Sequence, residues 1–272
     1  MVLTLQSNHP IGIFDSGIGG LTVAKALVEA LPNESVIYFG DTAHLPYGDK
    51  SIFAVQEYTK KIADFLLARG VKLILIACNS ASAAAYEMLQ DYVGSKALLI
   101  DVIDPVTKFL GENYANKSIG LIATKLTVKS SVYQDRFAKL NLQINLRTLA
   151  TPLLVPIIEE GFFAHKLMDV ALAEYLSNPI LQNIEALVLG CTHYPIIKKN
   201  IADFYQDKID IIDASKIVAA YVKSVLATEK LLAASSSIPE RCFYVSDYTE
   251  TFAHRAKLFF GDEVKVERLN IL

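Results

Sequence analysis

Short apolar runs alternate along the chain with longer segments whose apolar residues recur at intervals of three and four. Residues 11–14, 36–39, 73–77, 98–102, 119–123 and 186–189 are apolar runs bounded by polar turns and read as buried strands. Between them, residues 21–30, 51–69, 80–92, 126–140 and 163–176 carry the spacing of helices that cover a sheet. This alternation predicts an α/β chain with mostly parallel sheets. Ligand-binding residues are then expected just past the carboxyl ends of the strands. After Asp213 the pattern predicts a helix over 214–232, a serine-rich turn at 235–239, and a further strand in CFYVSD from Cys242.

The two halves echo one another. IGIFDSGIGGLTV at 11–23 returns in shorter form as IGLIATKLTV at 119–128, and LILIACNSASA at 73–83 returns as ALVLGCTHYPI at 186–196. Both echoes come in the same order, which predicts two similar units with one cysteine each. Parallel-sheet units also resemble one another for a plainer reason, since buried strands draw on the same few apolar residues.

Composition narrows the class. With 272 residues the chain can bury one large core or two modest ones, which excludes a disordered or disulfide-stapled scaffold. Its mean hydropathy is +0.33, yet its apolar runs fall far short of the roughly 20 residues that cross a bilayer, so no membrane partner is expected. The 26 Lys and Arg nearly balance the 29 Asp and Glu with no basic tract, which argues against nucleic acid. The opening MVLTLQSNHP lacks the basic cluster and apolar stretch of an export signal, so a cytoplasmic location is expected. Three cysteines, Cys78, Cys191 and Cys242, cannot all pair within one chain, and a reduced compartment fits them best.

Candidate chemistry gathers at the strand ends. DSGIGG at 15–20 follows a strand and precedes a helix, so its glycines can bring backbone N–H groups to a small anion. It has neither the glycine spacing of a dinucleotide fingerprint nor the G-K-[ST] ending of a phosphate loop. Cys78 and Cys191 each end an apolar strand before a polar turn expected to start a helix, where free N–H groups and the helix field would lower a thiol pKa. Matching positions in matching units would turn both thiols toward one cleft. No arginine closes a loop after either, as phosphatase chemistry needs, and the cysteines lack the clustered spacing of a zinc site. A thiol hydrolase built on Cys191 would leave Cys78 unexplained. His193, two residues from Cys191, can hold or share its proton, and Asp15 can handle protons on the Cys78 side. Tyr47 stands in a turn, LPYGDKS, suited to ligand contact, while Cys242 reads as core packing.

Taken in order, DSG at 15–17, PYG at 46–48, CNSASA at 78–83, ATKLT at 123–127, VPIIEEG at 155–161 and GCTHYP at 190–195 closely resemble the bacterial glutamate racemases over nearly the full length. The resemblance implies interconversion of L- and D-glutamate without metal, flavin or pyridoxal phosphate, supplying D-glutamate for peptidoglycan. It implies that Cys78 and Cys191 are paired acid/base thiols on opposite faces of the substrate α-carbon. Asp15 and His193 become their proton-handling neighbours, with Glu159 a further acid beside the second thiol. Ser16, Pro46, Tyr47, Gly48, Asn79, Ser80, Thr124 and Thr192 become substrate contacts. Ser80 departs from the family, whose members mostly carry threonine there.

The fold expected is therefore two similar three-layer α/β/α domains, pseudo-symmetric, with the active site in the cleft between them. The first would comprise 1–99 plus 213–272 and the second 100–212. A homodimer is expected from the family. A racemase of aspartate, a thiol hydrolase or lyase, and a non-catalytic amino-acid binding module remain the competing readings of the same residues.

Overall fold

The computed structural model describes residues 5–236, 238–261 and 264–271, so position 237 of the serine-rich turn lies outside the described residues. In chain order the strands are β1 (Ile11–Asp15), β2 (Val36–Gly40), β3 (Leu73–Ile76), β4 (Leu98–Asp101), β5 (Ser118–Ala123), β6 (Asn145–Ala150), β7 (Ala186–Gly190), β8 (Asp210–Ile212), β9 (Arg241–Val245) and β10 (Val266–Arg268). The helices are α1 (Gly20–Ala30), α2 (Ile52–Ala68), α3 (Asn79–Val93), α4 (Ile103–Asn113), α5 (Lys125–Lys129), α6 (Val132–Lys139), α7 (Leu154–Glu159), α8 (Lys166–Leu176), α9 (Lys198–Tyr205), α10 (Ala214–Thr228) and α11 (Glu250–Phe260).

Two sheets form, ordered β10-β9-β2-β1-β3-β4 and β6-β5-β7-β8, and every strand pairing within them is parallel. Strand periodicity sorts the side chains. In β3, Leu73 and Leu75 enter one apolar cluster while Ile74 and Ile76 enter another on the opposite face. In β7, Ala186 and Val188 join that first cluster, whereas Leu187 and Leu189 face a third, beneath α7 and α8. The central cluster thus runs from one sheet to the other through α1, α4, α6 and α10. Each large aliphatic side chain fully buried there contributes about 1.5–3 kcal/mol, and the shared cluster holds the two sheets in register about the site.

Three expectations need correction. The predicted helix over 126–140 is two helices, because Ser131 adopts a left-handed φ of 57°. Ser130 Oγ donates to the Thr127 carbonyl (2.8 Å) and accepts from Val132 N–H (3.3 Å), ending α5 and opening α6 with one side chain. The predicted helix over 163–176 is a short 3-10 turn at Phe162–Ala164 followed by α8, which His165 caps through Leu167 N–H. Cys242 is half-buried and outside the core clusters. The alternation of β9 sends Phe243 and Val245 inward and leaves Cys242 on the other face.

Candidate active site

The first wall is built from the carboxyl ends of β1, β2 and β3. Asp15 closes β1, and its Oδ2 accepts the N–H groups of Gly17 (3.1 Å) and Gly20 (2.8 Å), folding DSG into the entry of α1. The β1–β3 pairing sets Phe14 opposite Ile76, so Asp15 and Cys78 leave neighbouring strands. Cys78 is the N-cap residue of α3, with its Sγ 3.8 Å from Ser16 Oγ. The turn at 46–48 is fastened from behind. Tyr47 donates its hydroxyl to Asp41 Oδ2 (2.6 Å), and the same buried carboxylate accepts from Ser246 Oγ (2.7 Å) and contacts His44 Nδ1 (2.9 Å). The Tyr47 hydroxyl therefore faces Asp41, leaving its ring and the turn backbone to line the site.

The second wall comes from β5, α7 and β7. Thr124 caps α5 by accepting from Thr127 N–H (3.3 Å). Cys191 follows β7 as expected, but no helix starts there: Pro195 sits in a 3-10 turn at Tyr194–Ile197, and α9 begins only at Lys198. The helix-field argument thus applies to Cys78 and not to Cys191. His193 links two groups, with Nδ1 3.7 Å from Cys191 Sγ and Nε2 2.5 Å from Glu159 Oε1. Burial disfavours its charge, yet the hydrogen bonds to Cys191 and Glu159 and their charges prevail and hold it well above the ordinary imidazole range. Its favoured form is the imidazolium, which donates from both nitrogens.

The walls meet around one small, narrow cavity. Ser16, Pro46, Tyr47, Gly48, Cys78, Asn79 and Ser80 line it from one side, and Thr124, Val155, Cys191, Thr192 and His193 from the other. Asp15 and Glu159 stand behind the lining. Contacts across the junction are close: Ser80 Oγ lies 2.8 Å from Thr124 Oγ1, and Thr192 Oγ1 donates to Asp15 Oδ1 at 3.4 Å. Two glycines permit that approach, since a Cβ on Gly48 would lie 2.5 Å from Thr124 Cβ and one on Gly19 2.5 Å from His193 Nδ1. A second small cavity shares Pro46, Gly48, Thr124 and Val155 with the first. The groove beyond it shares Gly48 and is flanked by Lys50, Lys125 and Lys129.

Cys78 overturns one expectation about charge. Burial, then the Asp15 carboxylate, push its thiol well above the usual range, and a charge on Cys191 adds to this. The Ala81 N–H and Ser16 act the other way without prevailing. The helix field is outweighed because a buried thiolate loses its hydration. Among the described residues no three His, Cys, Asp or Glu side chains are grouped to hold a metal ion.

Every cavity-lining residue except Val155 was named as a candidate from the motifs, and Val155 went unnamed although it opens VPIIEEG. Asp41 carried no motif signal, because its work is done three to six residues along the chain and, at Ser246, across a strand pairing that the local pattern does not reveal.

Comparison with known proteins extends the geometry. Residues 11–222 match the family model described as Asp/Glu/Hydantoin racemase. A glutamate racemase of Neisseria meningitidis is 41% identical over 93% of this chain and 93% of its own length. The crystal structure of glutamate racemase from Francisella tularensis in complex with D-glutamate is 40% identical and superposes with a TM-score of 0.89, covering 97% of this chain and 98% of that one. The Thermus thermophilus glutamate racemase, in complex with β-chloro-D-alanine, is 35% identical with a TM-score of 0.85, covering 98% and 100%. With a match across most of its length and two cysteines facing one cavity, this chain belongs to the Asp/Glu/hydantoin racemase family and, within it, with the glutamate racemases.

Proposed function

We propose that this chain interconverts L- and D-glutamate by a two-base mechanism in which Cys78 and Cys191 act from opposite sides of the α-carbon. The observation that carries this reading is that both thiols line one small cavity, each at the end of a strand of a different sheet. Inverting a stereocentre requires removing a proton from one face and returning one to the other. A single base would have to cross the substrate, whereas two opposed thiols need not move. One thiolate takes the α-proton while the opposite thiol donates its own, and the pair exchange roles in reverse.

The environments support one choice of starting states. Cys78, buried beside Asp15, keeps its proton and is the resting donor. Cys191 lies against the His193 imidazolium, which Glu159 holds in place and which exchanges a proton with it. Asp15 serves the Cys78 side through its charge. Because an α-proton is very weakly acidic, the remaining lining must stabilise the developing carbanion by hydrogen bonds to the carboxylate and by excluding water. Ser16, Asn79, Ser80, Thr124 and Thr192 offer side-chain donors for this, and the turn of Pro46, Tyr47 and Gly48 offers backbone and shape. Closure of the two domains over the ligand is the means of excluding water.

The division into 1–99 with 213–272 and 100–212 is supported by α10 packing on α1, with the first boundary moved past Asp101 because β4 pairs with β3 along its whole length. A homodimer in the cytoplasm, supplying D-glutamate for peptidoglycan, is the setting we assign from the family. Among the described residues no helix is long and apolar enough to cross a membrane. The test is polarimetry of purified protein with L-glutamate and, separately, L-aspartate, with no cofactor added. Loss of glutamate rotation supports the reading, and turnover of aspartate alone, or of neither, rejects it.

A further inference from the structure

Tyr133 belongs to none of the motifs above, yet it reaches the site from the far side of the junction. It lies in the first turn of α6 and is 1% exposed. Its hydroxyl is 2.9 Å from Asn79 Oδ1. Asn79 follows Cys78 directly at the start of α3, is 3% exposed, and lines the cavity. A carboxamide can present either its oxygen or its NH₂ group to a ligand, and hydrogen-bond partners decide which. Here the choice follows from the phenol. Among the described residues Asn79 is the hydrogen-bond partner of the Tyr133 hydroxyl, so if the amide NH₂ donated to that hydroxyl, the phenolic proton would be buried without an acceptor. An unsatisfied buried donor is costly. Burial, with the charges of Asp101 and Cys191, also pushes Tyr133 upward, so it keeps the proton it donates.

We propose that Tyr133 is a positioning residue for the racemisation: by holding Asn79 Oδ1 it turns the Asn79 NH₂ group into the cavity as a donor to the substrate carboxylate. This rests on the reading of the cavity given under Proposed function. Reversed, the carboxamide would set its carbonyl oxygen against a carboxylate and repel it. Tyr133 also packs in the central apolar cluster through its ring, so its hydroxyl and ring have separable roles.

The experiment is a double-mutant cycle on the full chain with Tyr133→Phe, Asn79→Ala and the pair, reading kcat and KM in both directions. Loss of one hydrogen bond of this kind predicts that Tyr133→Phe lowers kcat/KM by roughly three- to tenfold. The loss should fall mainly on KM, with the melting temperature close to wild type, and should vanish in the Asn79→Ala background. An equal loss with and without Asn79 overturns the proposal, as does an unchanged KM. Asn79→Asp tests the orientation without touching Tyr133. A carboxylate facing the substrate's own carboxylate should bind D-glutamate more weakly than Asn79→Ala does, and binding as tight as alanine or tighter overturns the assignment. A wild-type protein that fails to racemise glutamate would instead reject the underlying reading before any variant is compared.

Discussion

His193 Nε2 and Glu159 Oε1 lie 2.5 Å apart, and the other ring nitrogen of His193 faces Cys191 at 3.7 Å. The carboxylate thus acts on the thiol through the imidazole.

The folded His193 pKa is raised, so its contribution to stability is fully present below the unfolded value of about 6.5 and is lost as pH rises through the folded value. The stability gap between wild type and His193→Asn, measured by urea melts, should therefore be widest in mild acid and narrow on going alkaline. In Glu159→Gln the His193 ring, followed by NMR, should titrate at lower pH than in wild type. An unchanged titration would show that Glu159 does not hold the charge.

Gly19 separates backbone preference from contact. Its φ and ψ of -59° and -41° suit alanine, so the lower entropy of the unfolded chain would by itself favour Gly19→Ala by about 0.4–1 kcal/mol. The added Cβ, however, would stand 2.5 Å from His193 Nδ1 and 2.6 Å from Thr192 Oγ1. We expect racemisation to fall at least tenfold while circular dichroism stays native. A more stable variant with full activity would mean that the two walls move apart freely.

Ser80, where the resemblance leads one to expect threonine, meets Thr124 at 2.8 Å. Thr124 keeps its bonds to Thr127 when the Ser80 hydroxyl is removed, so the loss is that of one hydrogen bond, about 0.5–1.5 kcal/mol, and with its donor to the substrate gone Ser80→Ala should raise KM by roughly three- to tenfold. Ser80→Thr keeps the hydroxyl and should stay within a few-fold of wild type. Steady-state kinetics of both variants decide whether the hydroxyl or the missing methyl matters.

Lys72 is a purely structural test. Its Nζ is buried and donates to Glu34 Oε2 (2.5 Å), Ser7 O (2.6 Å) and Leu231 O (2.8 Å), tying the segment before β1 to the turn after α10. Lys72→Met leaves a buried carboxylate unpaired and should cost about 3–5 kcal/mol. Lys72→Met with Glu34→Leu should recover much of it, as calorimetry would show. Failure of the double variant to recover stability would place the weight on the backbone contacts instead.

Most of the fold was legible because buried parallel strands are continuous apolar runs. The strands that escaped were those with weak runs: β6 is an edge strand with no fully buried residue, and β8 and β10 are three residues each. The break at Ser131 was hidden because serine gives no glycine-like warning of a left-handed turn. At the site, the residues that touch the cavity carry motifs, while Asp41 and Tyr133 act through Tyr47 and Asn79. Long-range partners such as Tyr133 and Asn79 become visible only once the two units are folded against each other. The Cys78 thiol shows the same limit, since a strand-to-helix turn suggests a lowered pKa and only burial beside Asp15 reveals a raised one.

Two thiols that exchange protons with opposite faces of one carbon must also exchange them with the solvent. Incubation with L-glutamate in deuterated water without added cofactor, following optical rotation and α-carbon deuterium together in wild type, Cys78→Ser and Cys191→Ser, tests this. Wild type should give D-glutamate carrying deuterium, and racemisation should fall by roughly 10²–10⁴-fold in each folded serine variant. Inversion without deuterium, or full turnover in either variant, would contradict it.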